Sequence, residues 1–243
     1  MNFKYRITTF PAPNKKNNED AVGVFELNDG LLIIVSDAIG GNPISYRASQ
    51  ICVNSVYEFF KNSHELEYLA KARESINAAN QELISFSSNN HLKIPLTTTV
   101  DILFLKSDYA YWGHIGDSRI YNFKNNILHR ITKDHSVVQR LVDEGFITMR
   151  EASNHSGKGI IFGAVGAGDR INIDVSKIQL NTSEKYRFFI CTDGVTGIIT
   201  DAELENFLRN EDLDKAKNAI QNLLLNRNHK DDCTYVMVDL VNS

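Results

Sequence analysis

The chain has little of what marks several protein classes. Cysteine occurs only three times in 243 residues, as Cys52, Cys191 and Cys233. That odd number and wide spacing do not suggest a disulfide framework. With no CxxC pair and no Cys/His cluster, nothing points to zinc. Buried free thiols in a reducing cytosol are the expectation. Only four prolines are present, and no Pro/Gly/Ser-rich linker, internal repeat or low-complexity block divides the chain. One domain spanning 1–243 is therefore expected. Long apolar runs are missing too. The longest, Leu31–Val35, is far short of the ~20 residues a membrane helix needs. The N-terminal stretch Met1-Asn2-Phe3-Lys4-Tyr5-Arg6 alternates like a strand and lacks a signal-peptide core, so a cytoplasmic protein with no membrane contact is expected. Finally, there is no basic excess. A formal charge of -4 argues against a nucleic-acid partner.

What is present is 42% hydrophobic residues, enough for a sizeable core, arranged mostly as short strand-like runs. Ala21–Leu27 and Leu31–Val35 flank Asn28-Asp29-Gly30, a hairpin pattern. Thr97–Leu105 and Tyr109–Ile115 flank Lys106-Ser107-Asp108, and Arg119–Phe123 and Ile127–Ile131 flank Lys124-Asn125-Asn126. Tyr186–Thr192 and Thr234–Val241 follow. Connections this short predict largely antiparallel sheets. Helical spacing of apolar residues marks Ser45–Asn62 and Glu65–Ser87, then Val137–Glu144 ending at Gly145, and finally Asp201–Arg209 and Asp214–Asn226, each preceded or opened by an acidic cap. Strands in runs and helices in pairs predict a layered α+β domain.

Short acidic stretches stand where these strands run out: Asn18-Glu19-Asp20, Ser36-Asp37-Ala38-Ile39-Gly40-Gly41, Gly116-Asp117-Ser118-Arg119, Thr192-Asp193-Gly194 and Asp231-Asp232-Cys233-Thr234. A lone Asp-Gly after a strand is ordinarily a turn. Several of them together, on strands that lie side by side, would bring carboxylates to one edge. Such carboxylates repel and take up protons unless a counter-charge is supplied. Oxygen-only ligands favour Mg²⁺, Mn²⁺ or Ca²⁺, and two such ions about 3.5–4 Å apart activate water for attack on phosphorus. The residues by themselves point to a two-metal phosphoryl hydrolase.

The order of the blocks is also informative. Lys15-Lys16-Asn17-Asn18-Glu19-Asp20, Val35 to Gly41, Thr97-Thr98-Thr99-Val100, Gly113 to Arg119, Ile131-Thr132-Lys133-Asp134-His135-Ser136, Ile190 to Val195 and Asp231 to Thr234 follow one another along the chain. In this order the sequence resembles the metal-dependent 2C-type (PPM) serine/threonine protein phosphatases, particularly their compact bacterial branch, over roughly Lys15 to Leu240. The resemblance implies a four-layer αββα sandwich of two antiparallel sheets flanked by helix pairs. It also implies hydrolysis of phosphoserine and phosphothreonine by a metal-bridging hydroxide, with no phospho-enzyme. Two Mn²⁺ or Mg²⁺ ions are implied, with a third, weaker one. In this pattern Asp37 bridges the two metals, Asp193 and Asp231 hold one, and Glu19 and the Ala38 carbonyl face the other. Asp20 is a ligand through water or a supporting partner, and Asp117 serves the third ion. Lys15 grips the substrate phosphate. Phosphoprotein substrates, a cognate serine/threonine kinase and a monomeric state follow by the same analogy.

The chain also departs from that pattern. Lys15 stands where an arginine is usual and lacks its planar fork; Lys15→Arg is expected to lower KM. Ala38 replaces a glycine, at a cost only if the site needs positive φ. Ile39 stands where many eukaryotic members carry a histidine as general acid, leaving metal-bound water to protonate the leaving group. His114 is expected to pack beside its strand, and His135 to cap the following helix. The flap, Ser153 to Gly159 and on to Ala164-Val165-Gly166, fits loosely, and Asp232 replaces a frequent asparagine, adding charge to the metal site. These departures motivate a second reading, a catalytically weak relative acting as a phosphoprotein-binding regulatory module. Retention of Glu19, Asp37, Asp193 and Asp231 opposes it. A third reading, a two-metal nuclease, is disfavoured by the acidic balance.

Overall fold

The structure is a computed structural model and describes residues 2–63, 67–106, 108–152, 154–181 and 183–241. Met1, Glu65, Ser107 and Ser153, on which the strand, helix, turn and flap expectations touch, lie outside the described residues. In chain order the elements are β1 (Asn2–Phe10), β2 (Asp20–Leu27), β3 (Gly30–Asp37), α1 (Tyr46–Asn62), α2 (Tyr68–Asn89), β4 (Val100–Lys106), β5 (Tyr109–Ile115), β6 (Arg119–Lys124) and β7 (Ile127–Arg130). There follow α3 (Val137–Asp143), α4 (Met149–Ala152), β8 (Asp174–Gln179), β9 (Arg187–Cys191), α5 (Asp193–Thr196), α6 (Asp201–Leu208), α7 (Leu213–Asn226) and β10 (Cys233–Val241). They form two five-stranded sheets, ordered β1-β10-β9-β6-β7 and β2-β3-β4-β5-β8. Each pairing between strands is antiparallel.

The layering follows from the period of two along the central strands. On β3, Leu32 and Ile34 turn toward α1 and α2, where Ala48, Cys52, Val56, Ile76, Ala79 and Leu83 complete a core. The alternate residues Leu31, Ile33 and Val35 enter the space between the sheets and meet Phe188, Ile190, Val236 and Val238. On the far side of the other sheet, Phe189, Tyr235 and Met237 pack on Leu204, Leu208, Ala216, Ile220 and Leu224 of α6 and α7. These three cores make the αββα sandwich. A strand buried on both faces has no polar side to show, which is why β3 reads as an unbroken apolar run. Each such Leu or Ile contributes roughly 1.5–3 kcal/mol on burial.

Turn chemistry fixes the register. The β6–β7 loop is Asn125-Asn126, both left-handed at φ 53 and 62, as a two-residue hairpin of matching twist requires. In the β2–β3 hairpin, Leu27 pairs with Gly30, so Gly30 belongs to the strand and not to the turn. A Cβ there would lie 2.3 Å from the Leu105 carbonyl oxygen. Arg187 knots the second sheet to its helices. Its guanidinium pairs bidentately with Asp239 at 2.6 and 2.7 Å and donates to the carbonyls of Leu208, Asn210 and Glu211 at the α6 C-terminus.

Some expectations need correcting. β8 gave no readable sequence pattern; it is an edge strand whose residues are exposed or half-buried. β4 starts at Val100, because residues 97–99 leave the ladder to serve the tip of β3. The cap of α3 is Ser136, not His135: its side chain accepts from Gln139 N. The cap of α6 is Thr200, reciprocated by Glu203 in a capping box, while α7 does have an acidic cap, Asp212. Among the described residues, no helix is long and apolar enough to cross a membrane.

Candidate active site

The sheet ladders bring the acidic strand ends together. Asp20 at the start of β2 is the register partner of Asp37 at the end of β3. The backbone of Asp37 is fixed on both sides: its N–H donates to Thr99 Oγ1 at 3.0 Å, and its carbonyl accepts from Thr98 Oγ1 at 2.8 Å and Thr99 N at 2.9 Å. Beyond it, Ala38 N donates to the Glu19 carbonyl at 3.1 Å and Ile39 N to the Thr97 carbonyl at 2.9 Å. These bonds use the carbonyls of Glu19, Asp37 and Thr97, not that of Ala38. Ala38 keeps an ordinary negative φ and its methyl is buried in the α1/α2 core, so the missing glycine costs no backbone strain.

The other sheet supplies Asp193, which opens α5 directly after β9. Its neighbour Gly194 explains the close approach of the segment leading into β10: a Cβ on Gly194 would fall 1.9 Å from the Asp232 carbonyl oxygen. The two sheets are joined here by Thr192, whose hydroxyl donates to Asp20 Oδ2 at 2.9 Å. Asp117 lies in the β5–β6 turn behind Gly116, which is left-handed at φ 120. The Gly116 carbonyl accepts from His135 N at 2.7 Å.

Electrostatics show the convergence. Burial first, then the charges of Asp20, Asp193, Asp117 and Asp231, push the Asp37 carboxyl well above its usual range. Asp37 still shows some surface to solvent, but protein encloses it closely enough for desolvation to dominate. Burial lifts Asp20 to about 7 against the hydroxyls of Thr234 and Thr192. Burial with the charges of Asp193 and Asp134 lifts Asp117 to about 7. Asp193 is raised by burial and by Asp231, and a hydrogen bond with Asp37 partly offsets this. Four carboxyl groups driven toward protonation together are a set short of positive charge. The donor chemistry fits a hard divalent cation: the groups are all oxygen, and Asp20 Oδ1 is buried with no hydrogen-bond partner. Among the described residues, no three His, Cys, Asp or Glu side chains close on a common point.

At the rim, Lys15 Nζ lies 2.8 Å from Glu19 Oε2, 3.0 Å from Asp231 Oδ1 and 3.2 Å from Asp232 Oδ2. Burial works to lower its pKa, but the hydrogen bonds to Glu19 and Asp231 and the charges of Asp231 and Asp232 outweigh that and hold it well above the usual lysine range. Glu19 also accepts from Ser45 Oγ. Asp232 is only 2% exposed, and its charge acts on both Asp20 and Lys15. In addition, Oδ1 accepts from Ala12 N and Oδ2 from Glu19 N, both at 2.7 Å, so it anchors the segment that carries Lys15 and Glu19.

Both histidines are committed within the fold. His114 is buried, with Nδ1 at 2.8 Å from Asp101 and Nε2 at 2.9 Å from the Lys133 carbonyl. His135 Nε2 lies 3.2 Å from Asp174, and its Nδ1 accepts from Gly116 N at 3.4 Å. Arg119 grips Asp134 with two nitrogens at 3.1 and 2.7 Å, and Ser118 bonds Thr99 at 2.9 Å. The described part of the flap is stitched to the site. Val165 exchanges both backbone bonds with Thr98 at 2.8 and 3.0 Å, and Thr98 in turn bridges Ala38. Sequence reasoning missed Ser45, Thr192 and Asp232 as supporting groups. For Ser45 and Thr192 no local pattern announces the role; for Asp232 the substitution itself was the sign. A cavity of about 500 Å³ is lined by Asn2, Glu26, Asn28, Asp29 and Lys106 at the opposite strand ends and contains none of these carboxylates.

The family model described as protein phosphatase 2C matches residues 12–234. A serine/threonine phosphatase, stp, of Listeria monocytogenes is 28% identical over 202 residues, covering 81% of this chain and 79% of the relative. Protein phosphatase PhpP of Streptococcus pneumoniae is 26% identical over 202 residues, covering 81% and 80%. Among solved structures, serine/threonine phosphatase Stp1 from Staphylococcus aureus superposes with a TM-score of 0.91 at 25% identity, covering 99% of this chain and 96% of that one. The catalytic domain of the phosphatase PstP, solved in complex with two manganese ions, superposes with a TM-score of 0.85 at 25% identity and 98% coverage of both chains. With nine-tenths of its length inside the family match and the carboxylates gathered at one end of the sandwich, the chain belongs to the protein phosphatase 2C family.

Proposed function

We propose that this serine/threonine protein phosphatase hydrolyses phosphoserine and phosphothreonine on proteins, using Mn²⁺ or Mg²⁺ held by the strand-end carboxylates. Asp37, Asp193 and Asp231 form the core of the ligand set, joined by Glu19 and the Ala38 carbonyl, with Asp20 in support and Asp117 serving a third ion. The observation that carries this reading is the joint upward push on Asp37, Asp20, Asp193 and Asp117, which a divalent cation relieves. A neighbour of the same fold solved with two manganese ions supports it. When bound, such ions supply an activated water for in-line attack and positive charge for the phosphoryl oxygens.

The chain's own residues do the rest. Thr98 and Thr99 hold the backbone of Asp37 at the strand tip, and Thr192 orients Asp20. Lys15 Nζ offers the positive charge for the substrate phosphoryl group. Direct displacement without a phospho-enzyme is supported by the thiols. Burial pushes Cys52 and Cys233 up to about 12 and Cys191 well above its usual value, so none offers a thiolate. Ile39 has no proton to give, and the commitments of His114 and His135 support protonation of the leaving group by water. Shared cores through all layers support reading 1–243 as one catalytic unit. Free buried cysteines support a reducing, cytoplasmic setting. A monomer served by a cognate serine/threonine kinase completes the proposal.

The test is Mn²⁺-dependent hydrolysis of an aryl phosphate and of a phosphothreonine peptide. Wild type should turn both over, and Asp37→Asn and Asp193→Asn should each lose at least about a hundredfold, the scale of one lost preorganised electrostatic group. No turnover at millimolar Mn²⁺ refutes the activity. Undiminished turnover in both variants refutes the site.

A further inference from the structure

We propose that the Lys15 ammonium is a built-in competitor of the divalent ions at Glu19 and Asp231, so that loading the metal and freeing the phosphate grip are one coupled event. This deepens the proposed function and rests on its assignment of Glu19 and Asp231 as ligands. The observation is the environment of one atom. An ammonium has three N–H donors and no more. Lys15 Nζ spends them on three carboxylates: Glu19 at 2.8 Å, Asp231 at 3.0 Å and Asp232 at 3.2 Å. In that arrangement its donors point at carboxylates and not at an incoming phosphoryl group. Gripping a phosphate and holding these carboxylates are therefore mutually exclusive uses of the same hydrogens.

The three contacts are not equal. Asp232 is buried and pinned by the backbone N–H groups of Ala12 and Glu19, so it stays where it is. Asp231 is 54% exposed at its side chain and Lys15 is 34% exposed; the Asp231 Oδ1 that meets Lys15 also accepts from Asp232 N at 2.9 Å, so the lysine is the partner with room to move. Glu19 has its second oxygen engaged by Ser45, which leaves the oxygen facing Lys15 as the one to be contested. Cations that take this oxygen and Asp231 displace the ammonium by like-charge repulsion as well as by occupancy. Asp232 remains as its anchor, and the released N–H groups are free to turn toward the substrate. Linkage makes the effect reciprocal: a phosphate that draws Nζ outward also opens Glu19 and Asp231 to the metal. An arginine has five donors and does not face this choice, so the coupling is a property of lysine at this position.

The experiment is calorimetric titration of Mn²⁺ into wild type, Lys15→Met, Lys15→Gln and Asp37→Asn at fixed pH and ionic strength. Thermal melting of each protein is recorded in EDTA and in saturating Mn²⁺. Competition predicts that both Lys15 variants bind Mn²⁺ more tightly, by about fivefold to tenfold, the size of a charge-assisted contact damped by solvent. They should melt lower than wild type in EDTA, with the gap closing in Mn²⁺. A merely structural Lys15 predicts the opposite sign, weaker Mn²⁺ binding. Circular dichroism checks each fold, and Lys15→Gln keeps a polar donor should Lys15→Met disturb the segment. Unchanged or weaker binding in both variants, with normal wild-type binding, overturns the competition and leaves the site standing. No saturable binding by wild type, or binding undiminished in Asp37→Asn, overturns both.

Discussion

Replacing Asp232 by asparagine should destabilise this protein. Both Asp232 oxygens act as acceptors: Oδ1 takes Ala12 N at 2.7 Å, and Oδ2 takes Glu19 N at 2.7 Å with Lys15 Nζ at 3.2 Å. An amide has one acceptor oxygen and one donor group. Whichever way it turns, its NH₂ faces a buried backbone N–H, and the charge assistance to Lys15 is gone. One buried donor left unsatisfied costs about 1–3 kcal/mol, and at 2% exposure water offers little compensation. For a domain of this size that corresponds to a fall in Tm of roughly 2–12 °C. The assay is thermal melting in EDTA, paired with urea denaturation, so that metal binding does not mask the loss. Asp232→Ala, which strands both N–H groups, should fall at least as far. An Asp232→Asn protein within about 0.5 kcal/mol of wild type would refute the anchoring role.

Further outcomes follow from the same structure. In EDTA, stability should fall as pH rises from about 4 to about 7. The folded-state values of Asp20 and Asp117 are raised from 3.8 to about 7, so in that window the native state holds protons the unfolded chain has released, and the slope of stability with pH is negative. A Tm series that rises across the window contradicts this, and saturating Mn²⁺ should flatten it. Ala38→Gly should lower stability by roughly 0.5–1 kcal/mol, because Ala38 has no positive φ to relieve and its methyl is buried; a gain in denaturation midpoint would show hidden strain. Arg187→Met should cost about 3–5 kcal/mol by stranding Asp239 and freeing three carbonyls; a urea midpoint shift worth less than about 1 kcal/mol would remove it as a clamp.

Much of this protein is written in local patterns. The unbroken run Leu31–Val35 announces a strand buried on both faces, and Asn125-Asn126 announces a tight hairpin, because each depends on the period or the φ preference of its own residues. The acidic strand ends declare a cation chemistry for the same reason: glycine and aspartate after an apolar run place a carboxylate at a tip. β8 stayed illegible because an edge strand with half-exposed faces has no apolar alternation to display. Which carboxylate does what was beyond local pattern. Asp231 and Asp232 are neighbours in sequence, yet one opens to solvent beside Lys15 and the other is buried as an anchor for Ala12 and Glu19. Only the docking of the 12–19 segment against the start of β10 separates them, and that contact spans more than 200 positions along the chain. The sequence by itself determined the residue types, the strand tips and a layered α+β pattern. Tertiary structure decided that Thr192 ties the sheets together at Asp20, and that the three donors of Lys15 are already engaged. The reason is that hydrogen-bond valence is satisfied in space, by whichever groups folding brings within reach.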